Sequence, residues 1–451
     1  MKKPLLYLLS LLCHLCCNTV AAQPGYTLAQ LKDSALAHNA AVSNARLSVD
    51  AASQQRREAF TKFFPNVSAT GFTFNANRGM AETTVNPSEI VPSSLAPALS
   101  QLFPPEALVA LANPVTISMM KNGTVGSIMA VQPVFAGGQI VNGNRLARVG
   151  EDVSRLQLQL SQQEVERNVE QYYWQLVTLN EKRRTLDAVD TLLADIHKDV
   201  DVAVRAGVAL RNDLLQVQLR QNDIASQRLK LNNGVTLLHL LIAQYCGLRD
   251  TTFALAASDI NNQGNQLPSL SREESGVSLL PEYRLLEKQV EAATLQKKLA
   301  VGQNLPSVAV GAGYPYHNLL DRDRTFGMLF ATVSVPISDW WGGSHAVKRR
   351  KIELQQAEEQ LADNAQLLNI RMQKTYNDVV EANEQLQLAQ RSIEQAEENL
   401  RLNRNYYQAG TSRMADLLEA QLLYQQARDR HTDAFADLQN KLLEYRFATA
   451  Q

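Results

Sequence analysis

The 451-residue sequence predicts a mainly helical protein with a small β part, built twice over from long antiparallel helical hairpins and pairs of strands. Three observations predict it. The first is a duplicated stretch: Ala206 to Leu219 reads A-G-V-A-L-R-N-D-L-L-Q-V-Q-L and Ala409 to Leu422 reads A-G-T-S-R-M-A-D-L-L-E-A-Q-L, identical at seven of 14 positions with a fixed offset of 203. The second is a pair of proline-free helical runs, each leading into one of these stretches. The third is four short segments that alternate at period two beside proline breaks.

The glycine in each duplicated stretch, Gly207 and Gly410, follows one helical pattern and precedes another, so each reads as the tip of a hairpin where a left-handed residue stops a helix. A period near 200 is too long for a solenoid unit and indicates a duplicated half. On this reading residues 23–246 form the first repeat, 247–280 the join and 281–451 the second repeat.

The N-terminus carries Lys2 and Lys3, an apolar run from Leu5 to Leu12 and small residues at Val20-Ala21-Ala22, so residues 1–22 read as a secretory signal. Cys13, Cys16 and Cys17 lie inside it; none follows the small residue a lipid-modified cysteine requires. Cleavage leaves Cys246 alone, which excludes an intramolecular disulfide. It also leaves 42 basic against 45 acidic residues, a formal charge of −3, which argues against nucleic acid as a partner. No stretch beyond the signal offers about 20 apolar residues in a row, so entry into a membrane would not use a spanning helix.

Taken in order, Thr27 caps a helix running from Tyr26 to about Phe60, with Leu28, Leu31, Ala35, Ala37, Val42 and Ala45 on its apolar side. Strands follow at Val67 to Ala76 and Val125 to Phe135, separated by a large loop over 77–124. A long helix covers 138–206, roughly 100 Å at about 1.5 Å per residue, and a return helix runs from Asn212 to Tyr245. In the second half a helix covers Pro281 to Gln303, and strands cover Ser307 to Tyr316 and Phe326 to Pro336. Gly342-Gly343 precedes a long helix over 343–409. Within it, apolar residues from Ala357 to Leu400 recur in 12 steps over 43 residues, a period of about 3.6 that suits a nearly straight helix packing sideways. Trp340 and Trp341 fit either an interfacial aromatic anchor or a packed strand-to-helix junction.

Four strands cannot close around a lumen, whereas three copies supply 12, an even number compatible with an outer-membrane barrel. With the duplicated order and the two tips, the chain resembles the TolC family of outer-membrane efflux channels. The resemblance implies a homotrimer, with a trimeric α-barrel topped by a 12-stranded β-barrel in outer-membrane lipid and extending into the periplasm. It implies a passive conduit for small molecules in a tripartite efflux system, with a periplasmic adaptor protein and an inner-membrane pump of RND or ABC type as partners. A conduit for type I protein secretion is the alternative, and a periplasmic coiled-coil scaffold without a pore is a further one.

The family's second tip has Tyr-x-x-Gly-Thr followed by two acids three apart, matched here by Tyr407, Gly410, Thr411, Asp416 and Glu419; Asp213 matches the acid after the first glycine. Ser412 stands where the family has a basic residue, with Arg413 next, and Glu419 where an Asp is usual. The resemblance implies a periplasmic gate of Asp416, Glu419, Asp213, Tyr407 and Arg413, and an adaptor-docking end at Gly207, Val208, Ala209, Gly410, Thr411 and Ser412. Asp416 and Glu419 share a helix face, and six carboxylates around a threefold axis would bind cations and hold some protons at raised pH. On residue chemistry alone, Asp213 and Asp416 equally fit ordinary acids near a helix N-terminus, and Glu419 a solvated face. No nucleophile–base pattern, phosphate loop or metal-ligand spacing is present, so no enzyme activity, cofactor or metal site is expected.

Overall fold

The computed structural model describes residues 25–86, 89, 93–106, 109, 113–256, 276–319 and 322–449. The expected signal (1–22), part of the 77–124 loop and most of the join, 257–275, fall outside these residues. The chain divides into two compact units. One comprises Met1–Ala52, Glu151–Val290 and Ala357–Gln451; the other comprises Ser53–Gly150 and Glu291–Gln356.

The elements run as follows. In the first half, α1 (Leu28–His38) and α2 (Ala40–Thr61) precede β1 (Asn66–Asn75), β2 (Ala81–Val85), α3 (Ala96–Leu102), β3 (Val115–Met119) and β4 (Asn122–Ala136). Then come α4 (Gln139–Arg205) and α5 (Arg211–Cys246). In the second half, α6 (Pro281–Gln303), β5 (Ser307–Asn318), β6 (Arg324–Thr325) and β7 (Met328–Ser334) lead to α7 (Asp339–Gln408) and α8 (Met414–Thr449).

Four expectations change in detail. The first helix is two: Asn39 adopts an extended backbone, and its side chain turns to the Tyr245 carbonyl and the Ala41 amide. Thr27 caps α1 reciprocally with Gln30 as expected. The 77–124 loop contains an antiparallel hairpin of β2 and β3, whose V-T-I-S-M run carries the period-two signal. The strand expected over Phe326 to Pro336 is interrupted, with β6 and β7 both pairing with β5. Finally, α7 begins at Asp339, so Gly342 and Gly343 lie inside the helix rather than before it. A Cβ on Gly343 would overlap the Asn304 side chain, and Trp340 Nε1 donates to the Asn304 carbonyl at 2.9 Å. Close packing by Asn304 therefore overrides the helix-breaking tendency of glycine.

In the β-containing unit the main strands are antiparallel in the order β1-β4-β5-β7, leaving β1 and β7, among the described residues, each paired on one side only. The register places Val67, Ile128, Val310, Tyr314, Leu329 and Val333 on one face. That face is open, with Leu329 87% exposed. The opposite face mixes Ser68, Thr70, Ser127, Thr332 and Ser334 with Phe72, Phe74, Val125, Met129, Val131 and Phe330, and Thr70 and Ser127 share a 3.0 Å hydrogen bond. A sheet with an exposed apolar face and two unpaired edges is unfinished in water.

In the helical unit the expected stripe of α7 turns inward, with Val379, Ala382 and Leu386 buried. They join Trp174, Val177, Ile242 and Phe435 in one apolar cluster. A second cluster packs Leu193, Ile196 and Val200 of α4 with Val217 and Ile224 of α5 and Met414 and Leu417 of α8. Ahead of α1, Tyr26 is tied to the beginning of the join: its amide donates to the Ala254 carbonyl and its carbonyl accepts from the Ala256 amide. Cys246 is a buried thiol, pushed up to about 11 by desolvation. No helix among the described residues is long and apolar enough to cross a membrane.

Candidate functional site at the hairpin tips

Both tips are closed by the same backbone device. At the first, Gly207 (φ +75°) donates to the Val204 carbonyl at 3.0 Å and Val208 donates to the Ala203 carbonyl at 2.9 Å. At the second, Gly410 (φ +71°) donates to Tyr407 at 3.0 Å and Thr411 to Tyr406 at 2.9 Å. This is the paired-bond helix stop that satisfies the last carbonyls and requires a left-handed residue.

The next helix is capped identically in each hairpin. Asp213, third in α5, accepts the Leu210 amide at 3.2 Å, and Asp416, third in α8, accepts the Arg413 amide at 3.1 Å. The helix-end role of both acids is therefore real. Asp416 has more partners: Ser412 Oγ donates to it at 3.3 Å and Arg413 Nη2 at 3.1 Å. Hydrogen bonding from Arg413 holds its carboxyl below the ordinary range, and Asp416 in turn raises Arg413. Within one protomer, then, Asp416 is an ionised, paired acid rather than a proton-holding one.

The expected gate residues are partly brought together. Tyr407 packs against the second apolar cluster, and its phenol is raised by burial and next by the negative charge of Asp213 on the other hairpin. Arg413 instead turns to Asp416 of its own tip. Glu419 is exposed. Among the expected docking residues, Gly207, Val208, Gly410 and Thr411 are exposed, Val208 at 80%, whereas Ala209 and Ser412 are half-buried. Sequence reading missed that the two acids are equivalent caps, although each stands third in its helix, where side-chain capping of the preceding turn is common. No cluster among the described residues is arranged to hold a metal ion.

A duplicated hairpin pair with an unfinished antiparallel sheet defines the class: the fold is that of the outer membrane efflux channels. Residues 281–451 match the family described as outer membrane efflux protein. No curated protein sequence matches the chain. Among solved structures the chain resembles the outer membrane protein VceC of Vibrio cholerae, with a TM-score of 0.74 and 14% identity over 94% of this chain and 95% of that one. It also resembles CusC, described with the conformational changes of transmembrane channel formation, with a TM-score of 0.76 and 15% identity over 94% and 91%. A third is the open state of the MtrE outer membrane channel of Neisseria gonorrhoeae, with a TM-score of 0.73 and 14% identity over 94% and 88%. At these identities the likeness is one of fold.

Proposed function

We propose that the chain is the outer-membrane channel of a tripartite efflux system, a homotrimeric passive conduit for small molecules. The observation that carries this reading is the sheet: β1 and β7 are unpaired edges flanking an exposed apolar face. Open edges are not tolerated in lipid, so β1 of one copy pairs with β7 of the next, and three copies close a 12-stranded barrel. Lipid then covers the Leu329 face, and the Ser127 and Thr332 face lines the lumen. A pore-free scaffold has no use for such a sheet.

In this assembly the tips lie at the periplasmic end. Gly207, Val208, Ala209, Gly410, Thr411 and Ser412 form the docking surface for a periplasmic adaptor, which links the channel to an inner-membrane pump. Asp416 and Glu419, with Asp213, Tyr407 and Arg413 between hairpins, form the constriction. Because Arg413 neutralises Asp416 in its own tip, Glu419 supplies most of the unpaired charge that attracts cations.

Purified protein in planar bilayers tests the proposal: a detergent-stable trimer should conduct with cation preference, and Glu419→Ala should weaken that preference more than Asp416→Ala. A folded monomer, soluble without detergent, would overturn the channel reading. Undiminished cation preference in the Asp416→Ala, Glu419→Ala double variant would place both acids outside the lumen.

A further inference from the structure

Next to the apolar cluster at the tips, the two hairpins meet through a polar seam. On α8, Gln421, Gln425 and Asp429 stand at successive i+4 positions; Gln421 is fully buried at 0% exposure, and Gln425 is also buried. Across from them on α5 is Arg220. Its Nε donates to Gln421 Oε1 at 2.9 Å and its Nη2 donates to Gln425 Oε1 at 2.7 Å. The amide of Gln425 then donates to Gln227 Oε1 on α5 at 2.9 Å. Asp223 acts on Arg220 only as a charge in its surroundings, and Arg220 forms no ion pair among the described residues. Farther along the seam, Lys182 of α4 pairs with Asp433 beside Asp429.

Two features separate this array from ordinary packing. Gln421 is the repeat counterpart of Gln218, which is exposed, and Arg220 is the counterpart of Leu423, also exposed. The repeat therefore does not require a buried glutamine; only the hairpin facing Arg220 has one. The seam is also imperfectly satisfied, because Gln421 Nε2 and Asp429 Oδ1 are buried without a hydrogen-bond partner. A forked guanidinium bound to two amides fixes register in a way that apolar surfaces do not. When the hairpins part, these polar groups regain water, unlike the neighbouring apolar cluster, so this part of the contact is the less costly to open.

We propose that Arg220 is a positioning residue for the tips. Its paired hydrogen bonds to Gln421 and Gln425 hold the second hairpin in one register against the first, and opening of the channel end requires that array to break. This rests on the channel reading above. Arg220 lies nine residues beyond Arg211, the start of α5, about 14 Å along the helix, so a small shift at the seam moves the tips as a lever.

The test uses the full-length trimer in planar bilayers, with amide exchange read in parallel. Arg220→Ala should raise single-channel conductance at least about two-fold and accelerate exchange at residues 410–413, with trimer level unchanged. Arg220→Lys, which keeps the charge but loses the fork, should lie between wild type and Ala. The Gln421→Leu, Gln425→Leu double variant should reproduce the Ala effect without disturbing Arg220 itself. Val217→Ala, which loosens the neighbouring apolar cluster, is the control. Unchanged conductance in Arg220→Ala, or an equal rise in Val217→Ala, would overturn the proposal. Should wild type form no channel, the channel reading fails; the register claim then stands or falls on whether Arg220→Ala, and not Val217→Ala, accelerates exchange at 410–413.

Discussion

Alanine at Gly410 probes the tip backbone without disturbing any side-chain contact. An added Cβ would meet no atom within 4 Å, so there is no steric contribution. What remains is the left-handed backbone at φ +71°, which costs a residue with a Cβ about 1 to 2 kcal/mol. That penalty falls on the local equilibrium between the closed stop and a frayed one and shifts it roughly ten-fold. The reporters are the Gly410 and Thr411 amides, bound to the Tyr407 and Tyr406 carbonyls at 3.0 and 2.9 Å. Hydrogen exchange on the trimer should show these amides exchanging about ten-fold faster, while amides around the fully buried Val379 stay as in wild type. Gly247 supplies the contrast. It is also left-handed, at φ +67°, but a Cβ there would lie 2.6 Å from the His38 Cβ. Gly247→Ala therefore adds a clash between the end of α5 and α1 and should lower the yield of folded trimer, which Gly410→Ala should not. Unchanged exchange at Gly410 and Thr411, or loss of trimer in Gly410→Ala, would refute the argument.

Three further outcomes are expected. Because Arg413 depresses the Asp416 pKa in the folded chain, the contribution of this cap is complete above the unfolded value of about 3.9 and is lost as pH falls through the lower folded value; tip exchange should stay slow at pH 5, rise under stronger acid, and be fast at neutral pH in Asp416→Ala. Glu170, with a side chain 3% exposed, accepts from Lys32 Nζ of α1 and from Arg446 Nη2 of α8 at 2.6 Å. Both cations reach water, so Glu170→Ala should cost about 2 kcal/mol, less than a fully buried pair, seen as a lower urea midpoint in detergent. Leu329→Arg places a charge on the lipid-facing side at a cost of about 2 to 4 kcal/mol if near the bilayer centre, so it should deplete assembled trimer from outer membranes, whereas Thr332→Arg on the opposite face should be tolerated.

The long elements were legible because each rule that governs them is local. The α7 stripe at period 3.6 needs only side-chain spacing, and Ala357, Leu368, Met372, Val379, Ala382 and Leu386 are indeed buried. The glycine tips need only a backbone preference. What escaped sequence reading depends on partners distant along the chain. Asn304 permits Gly343 to sit inside α7 from 39 residues away, and Tyr245 holds the Asn39 break from 206 residues away. The β2–β3 hairpin was hidden for another reason: its strands are five residues each and lie about 30 apart, so V-T-I-S-M had no visible neighbour to pair with. At the tips, the acids were found by type and spacing, but their division of labour was not. Nothing in the sequence indicated that Arg413 turns to Asp416 while the charge of Asp213 acts on Tyr407 in the other hairpin.

The two halves have kept the same backbone bonds while their side chains have separated in role. Gly207 and Gly410 stop their helices with matching hydrogen bonds, and Asp213 and Asp416 cap the next ones at the same offset. These positions tolerate little change because each satisfies orphan groups at a helix end. Around them the freedom is large. Val208 and Leu210 make the first tip apolar and exposed, whereas Thr411 and Arg413 make the second polar. Farther along, Arg220 faces Gln421 and Gln425, while their counterparts Leu423, Gln218 and Asn222 form no such array. A trimer would then present six hairpins of two alternating kinds, identical in shape and different in surface. An adaptor that inserts apolar side chains would discriminate between neighbouring tips, even though the same turn builds both.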